Sequence, residues 1–229
     1  PGDVLVANEV VGQRRTILRE NLTRAGFLNT FISGEPASSF TDPFADILLI
    51  DAPCAGEGMM RKEPEAIRQW APSLVQSCSL MQKQIVSDAV NALKVDGFLI
   101  YSTCSYSMEE NIQNVAYFCE KHQLTCVPLL FPDDWGISTL QQGDYVGYQL
   151  YPHKVKGEGL FISVLQNTST EEPKYRKSRK PFNLFESVPG WMAPHINTPE
   201  SRRVRKNSLQ NQFLTAGAEA KANEVLMNI

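Results

Sequence analysis

The chain has 229 residues, 42% of them hydrophobic and 21% charged, with a formal net charge of -3. That is an ordinary globular composition, long enough for one sizeable domain and part of a second, and it excludes a uniformly basic nucleic-acid binder. No run of eighteen apolar residues is present, which excludes a membrane-spanning helix.

Five cysteines, an odd number with no C-x-x-C pair, argue against a disulfide framework or a metal site and for a reducing, cytoplasmic setting. The chain opens on Pro1-Gly2-Asp3 with no signal peptide, and a strand begins so soon afterwards that upstream sequence is expected.

Val4 to Ala7 reads as a short strand ending in Asn8-Glu9. Val10 to Ala25 reads as a helix with Ile17, Leu18 and Leu22 on one side, four arginines mostly on the other, and Gly26 closing it. Thr30 to Ile32 is a second strand, followed by the turn Ser33-Gly34-Glu35-Pro36. Ile47 to Ile50 is an unbroken apolar run, the mark of a buried parallel strand, and Asp51-Ala52-Pro53-Cys54-Ala55-Gly56-Glu57-Gly58 is its loop. One helical turn is expected near Glu65–Trp70. A long helix follows over Leu74–Leu93, with Leu74, Met81, Ile85, Val86, Ala89 and Leu93 as its apolar face.

Asp96-Gly97 turns the chain into a strand at Phe98–Tyr101, which ends in Ser102-Thr103-Cys104-Ser105. Met108–Lys121 reads as a helix and Thr125–Pro128 as a short strand. Tyr148–Pro152 and Leu160–Leu165 read as an antiparallel hairpin. The fold class is therefore α/β: a mostly parallel, doubly wound sheet with an antiparallel edge hairpin. Beyond it, 166–181 reads as a basic linker with Lys174, Arg176, Lys177, Arg179 and Lys180. Residues 182–229 read as the start of a second domain or as an appendage packed on the first, with weak helical patterns at Pro199–Phe213 and Ala216–Asn228 and a second basic cluster at Arg202–Lys206. Both clusters read as solvated surface or as phosphate contacts.

In open α/β sheets, ligands bind beyond the C-terminal ends of the strands. Asp51, Cys54 and Cys104 all fall there, so two thiols and one carboxylate are expected in one crevice. Cys54 alone reads as a small buried hydrophobe, but an acid beside a loop cysteine weakens that reading. Cys104, close before a helix, is a candidate nucleophile with a lowered pKa. Cys78, Cys119 and Cys126 read as packing residues. Glu9, at a strand tip, suits the hydroxyls of a nucleoside ribose or, equally, the first turn of the following helix. His122 and His195 read as surface residues, and His153 as a residue near the site.

The order Asp51-Ala52-Pro53-Cys54-Ala55-Gly56-Glu57-Gly58, Arg61-Lys62-Glu63-Pro64, Tyr101-Ser102-Thr103-Cys104-Ser105, Glu110-Asn111 and Tyr151-Pro152-His153 with Gly157-Glu158-Gly159-Leu160-Phe161 resembles the Sun-type (Fmu-type) RNA cytosine-5 methyltransferases. Val6–Glu9 and Leu18–Asn21 match as well, and the resemblance covers residues 1–165, the expected catalytic domain of a Rossmann-like methyltransferase fold. It implies S-adenosylmethionine as cofactor and a cytosine in RNA as substrate, ribosomal RNA foremost and transfer RNA second. No membrane or metal is implied. Carried over, Cys104 is the nucleophile on carbon 6, and Cys54 helps release the product. Asp51 faces the cytosine edge and, with Pro53, lines the cofactor crevice. Glu9 holds the cofactor ribose, Glu35 lies near its adenine, and Arg61, Lys62 and His153 meet the RNA. The family's first strand and glycine-rich cofactor loop are expected before Val4 and are missing from this chain. Two alternatives stand beside this reading: a DNA cytosine-5 methyltransferase, with its nucleophile in the Pro53-Cys54 loop, and a non-catalytic RNA-binding or ribosome-assembly module.

Overall fold

The computed structural model describes residues 4–26, 29–170 and 224–227. The basic clusters at 174–180 and 202–206, His195 and the pattern at 199–213 lie outside the described residues. The described strands are β1 (Val4–Asn8), β2 (Thr30–Ser33), β3 (Ala45–Asp51), β4 (Leu93–Thr103), β5 (Leu124–Cys126), β6 (Ser138–Gln142), β7 (Tyr145–Leu150), β8 (Leu160–Asn167) and β9 (Glu224–Met227). They form one sheet in the order β2-β1-β9-β3-β4-β8-β7-β6, with β5 paired to β8. The strands from β2 to β4 run parallel, and β8, β7 and β6 are antiparallel additions. The expected hairpin is present, enlarged by β6 and β5.

The place between β1 and β3 is taken by β9, which pairs in parallel with both. Its residues fall in the segment read as a weak helix over Ala216–Asn228, and that reading is corrected: Glu224–Met227 is a strand of the central sheet. A gap there would leave ladder donors and acceptors of two inner strands unpaired, which a buried backbone does not tolerate.

The helices are α1 (Gly12–Ala25), α2 (Pro64–Gln69), α3 (Pro72–Ala89) and α4 (Ile112–His122). Gly26 closes α1 in the left-handed conformation, φ 76°, its N–H reaching the carbonyls of Leu22 and Thr23. The stripe expected on α1 is not a core face: none of its residues is buried, and Ile17 is 57% exposed. The core lies on the side of α3 and α4, where Leu48, Ile50, Leu99, Tyr101, Val86, Ile112, Phe118 and Phe161 form one buried cluster.

Two helix assignments shift for a common reason. The long helix ends at Ala89, and Leu93 already begins β4. Its buried face is Val75, Cys78, Ser79, Gln82, Val86 and Ala89, with Met81 half exposed. Ser79 Oγ reaches Asn114 Oδ1 at 2.9 Å, and Gln82 Nε2 reaches Glu110 Oε2 at 2.7 Å. Buried polar partners, which an apolar count does not see, turn α3 on its axis. Likewise α4 begins at Ile112 and not at Met108, because the Asn111 side chain folds back. Its Oδ1 accepts from Thr103 Oγ1 at 2.6 Å, and its Nδ2 donates to Ser105 O at 2.9 Å.

Candidate active site

β3 and β4 are neighbours in parallel register, with Asp51 opposite Ser102. The loops that follow them therefore leave the same edge of the sheet. They are laced together by backbone bonds: Ala52 N–H to Ser102 O at 2.9 Å and Gly58 N–H to Cys104 O at 2.7 Å. Cys54 Sγ and Cys104 Sγ consequently lie 3.0 Å apart, both half-buried. Asp51 is exposed beside them, and Ser102 Oγ reaches its Oδ1 at 3.3 Å. The expected constellation of two thiols and a carboxylate is thus assembled in one place.

The glycines of the first loop serve protein packing. Gly56 adopts φ 74°, a conformation that side chains disfavour, and turns the chain into a short 3-10 segment, Glu57–Met59. A Cβ on Gly58 would stand 2.8 Å from the Cys104 carbonyl oxygen and 3.1 Å from that of Glu158.

The thiol pair is electrically asymmetric. The hydrogen bond from Cys54 is the largest influence on Cys104 and holds its pKa below the ordinary thiol value, against burial and the nearby Asp51 charge. The same bond, with burial, pushes Cys54 up. Of the two, Cys104 is thus the thiol whose ionised form is favoured, with Cys54 as the partner that keeps its proton. Cys104 does not owe this to a helix end, as the sequence suggested, since α4 begins eight residues later. The expected outcome is that iodoacetamide alkylates Cys104 with a pH midpoint below that of a free thiol, and that Cys54→Ala moves the midpoint up. An unmoved midpoint would remove Cys54 from this role. Elsewhere, Cys119 and Cys126 are also in contact, with Sγ atoms 3.8 Å apart between α4 and β5.

Two glutamates that the sequence places in the family motifs without a role, one half-buried and one fully buried, brace the loops. Glu57 Oε1 accepts from Trp70 Nε1 and Ser107 Oγ, and Oε2 from the Ser105 hydroxyl and the Tyr106 N–H. Burial raises its pKa, but these donors outweigh it and leave the net shift downward. Glu110, buried completely, takes the Ala55 N–H and Gln82 Nε2. The sequence did hold a signal: Ser79 and Gln82 on the buried side of α3 announce polar partners underneath.

The other expected residues are placed as follows. Pro53 contributes its carbonyl to Gln82 Nε2 at 2.9 Å. Arg61 donates to Gly157 O at 3.1 Å, and Lys62 pairs with Glu158, so both clasp the β7–β8 loop to the Cys54 loop. Tyr106 donates to Glu158 O and ties the Cys104 loop to the same β7–β8 loop. His153 is exposed at the end of an aromatic row, 5.4 Å from the Tyr151 ring, which lies 5.8 Å from that of Tyr106. His122, expected at the surface, is half-buried and bonded to Ser87 Oγ at 2.9 Å.

Glu9 is buried at the tip of β1, with Oε1 on the Val11 N–H at 2.8 Å and Oε2 on Arg14 at 3.0 Å. It thus serves the start of α1. Glu35 is half-buried beside it, its carbonyl accepting from Asn8 Nδ2 at 3.0 Å. Asn8 Oδ1 is buried with no hydrogen-bond partner among the described residues. An acceptor left open beside Glu9 and Glu35, at the ligand-binding edge of the sheet, fits a donor from a bound nucleoside.

Residues 2–166 match the family model described as 16S rRNA methyltransferase RsmB/F. The chain belongs to this family. Members of the RsmB/F family are S-adenosylmethionine-dependent methyltransferases. Among curated relatives, the chain is 34% identical over 192 residues to ribosomal RNA small subunit methyltransferase F of Vibrio cholerae, covering 79% of this chain and 39% of that one. It is 32% identical over 176 residues to the protein of that name from Cronobacter sakazakii, covering 74% and 36%. The chain thus spans well under half the length of these relatives. NSun6 from Pyrococcus horikoshii, solved with SFG, superposes with a TM-score of 0.62 at 23% identity, over 74% of this chain and 49% of that one. A methyltransferase homolog protein from the same organism gives 0.56 at 23%, over 73% and 62%. Both show the Rossmann-like methyltransferase fold in this RsmB/F chain.

Proposed function

We propose that residues 1–165 carry the catalytic chemistry of an enzyme that methylates carbon 5 of a cytosine in RNA, in the cytoplasm. Ribosomal RNA is the favoured substrate, since the relatives named above are ribosomal RNA small subunit methyltransferases, and transfer RNA is the rival. The observation that carries this reading is the pair of thiols 3.0 Å apart beside Asp51. A methyltransferase acting on an oxygen or an exocyclic amine has no use for two cysteines there. Carbon 5 of cytosine is a poor nucleophile and needs a covalent helper.

In this mechanism the Cys104 thiolate adds to carbon 6, and the ring electrons move onto carbon 5. Asp51 holds the polar edge of the base. S-adenosylmethionine, when bound, supplies the methyl group as an electrophile on a sulfonium. Cys54, once it has released its own proton to solvent, takes the proton that carbon 5 must lose, and the bond from carbon 6 to Cys104 breaks, restoring aromaticity and the Cys104 thiolate. The cytosine keeps one new methyl in place of one proton. Glu9, Asn8 and Glu35 would hold the ribose and adenine side of the cofactor, with Asp51 and Pro53 along the crevice. Arg61, Lys62 and His153 would face the RNA, and a stacked base must be drawn out to reach the thiols.

The test gives full-length protein labelled S-adenosylmethionine and total RNA from a strain lacking the gene. Label recovered as 5-methylcytosine in small-subunit ribosomal RNA is the expected result. Label in another nucleoside would overturn the cytosine-5 chemistry. RNA binding that weakens steeply with salt, without transfer to any RNA, would point to a binding module instead.

A further inference from the structure

Ser105, next to Cys104, stands between two carboxyl groups. Its Oγ lies 3.0 Å from Glu57 Oε2 and 2.9 Å from Glu110 Oε1, and it accepts the Ser107 N–H at 3.1 Å. A hydroxyl has one proton to give and two lone pairs to receive with. Its proton serves one carboxyl oxygen only. The other short oxygen–oxygen contact needs a proton of its own, and a carboxylic acid has one.

The surroundings decide which carboxyl carries it. Glu57 has four donors on its two oxygens: Trp70 Nε1, Ser107 Oγ, Ser105 Oγ and the Tyr106 N–H. That is the full complement of an ionised group. Glu110 is 0% exposed, and its Oε2 is satisfied by Gln82 Nε2 at 2.7 Å and the Ala55 N–H at 3.1 Å. Its Oε1 has only the Ser105 hydroxyl and a longer approach of the same N–H at 3.3 Å. Among the described residues, the charges of Glu57, Cys78, Cys104 and Tyr101 bear on this centre, all negative when present.

We propose that Glu110 is held as a neutral carboxylic acid that donates from Oε1 to Ser105, and that as a positioning residue it locks the Cys54 loop to the Cys104 loop without placing a charge beneath the thiol pair. The lock has two ends: Ala55, next to Cys54, and Ser105, next to Cys104. Ser105 then gives its proton to Glu57 and receives from Glu110 and Ser107, so every polar atom in the chain of contacts is satisfied. Burial also pushes the Glu110 pKa upward. An ionised Glu110 would oppose the Cys104 thiolate, and the neutral acid does not. The proposed role rests on the reading of Cys54 and Cys104 as the reacting pair.

The experiment labels glutamate side-chain carboxyl carbons with carbon-13 in the full chain and reads their NMR shifts from pH 5 to 9. Disappearance in Glu110→Gln assigns the resonance of Glu110, and Glu57→Gln does so for Glu57. At pH 7 Glu110 is expected at the acid position and Glu57 at the carboxylate position. Glu110→Gln keeps one donor toward Ser105 and one acceptor for Ala55 and Gln82. It is therefore expected to leave the pH midpoint of Cys104 alkylation in place, whereas Glu110→Asp, too short to span both loops, moves it. A carboxylate resonance for Glu110 at pH 7 would overturn the proposal. So would a fall of the Cys104 midpoint by about one pH unit in Glu110→Gln, a tenfold gain in thiolate. Neither readout uses RNA or cofactor, so a failure of methyl transfer leaves this test intact.

Discussion

Cys104→Ala is expected to abolish methyl transfer to RNA, a loss on the order of 10⁴-fold or more, as for other nucleophiles that act as one unit with a partner. Cys54→Ala is expected to do something different: to leave protein joined to RNA as a band that survives denaturing electrophoresis. The two thiols touch, but their surroundings assign them unequal states. The contact between them holds the Cys104 pKa down and pushes that of Cys54 up, which favours Cys104 as the thiolate. Removing Cys104 removes the group that makes carbon 5 reactive. Removing Cys54 leaves the attack possible and slows the release. The checking measurement is a gel of each variant incubated with labelled cofactor and RNA, beside the transfer assay. An adduct that persists in Cys104→Ala and vanishes in Cys54→Ala would reverse the assignment, placing the nucleophile in the Pro53-Cys54 loop as in the DNA enzymes.

Gly58→Ala is expected to lower transfer about 100-fold while touching no reacting atom. A Cβ at this position would stand 2.8 Å from the Cys104 carbonyl oxygen and 3.3 Å from the Cys104 Cβ. The obstacle is backbone on a packed loop, so a rotamer change in a flexible side chain does not relieve it. The Gly58 N–H also donates to that same carbonyl at 2.7 Å, and the bond must lengthen as the loops separate. A displacement of the loops by less than about 1 Å spoils the alignment of the two thiols, and catalysis feels such a displacement more than folding does. The expected signature is a fall in kcat with an almost unchanged melting temperature, together with a Cys104 alkylation midpoint that rises toward that of a free thiol. Full activity in Gly58→Ala would show that the Cys54 and Cys104 loops tolerate separation, and would weaken the coupling of the pair.

Much of this site is legible from residue order. The apolar runs at Ile47 and Phe98, each ending in a turn with a cysteine, are enough to place both thiols at one sheet edge, because parallel neighbours end on the same side. The aromatic and glycine pattern from Tyr148 to Leu165 marks the antiparallel edge. Helix faces are less legible. The apolar stripe on α1 reads as a core face, yet Ile17 is exposed, since spacing reports what a helix could bury and not what lies opposite. On α3 the buried side includes Ser79 and Gln82, which hydropathy assigns to solvent.

What the sequence by itself determined is the alternation of strand and helix, the pair of cysteines at strand ends, and the motif order that marks the family. These are local features, set by period, turn residues and spacing along the chain. The tertiary structure alone decided that the two thiols lie 3.0 Å apart, that Glu57 and Glu110 brace the two loops through Ser105, and that Arg61 and Lys62 clasp the β7–β8 loop. It also decided that β9 stands between β1 and β3. Each of these depends on partners tens of residues away in the chain. A proton's position follows from the full set of donors and acceptors around it, and only the folded chain brings that set together.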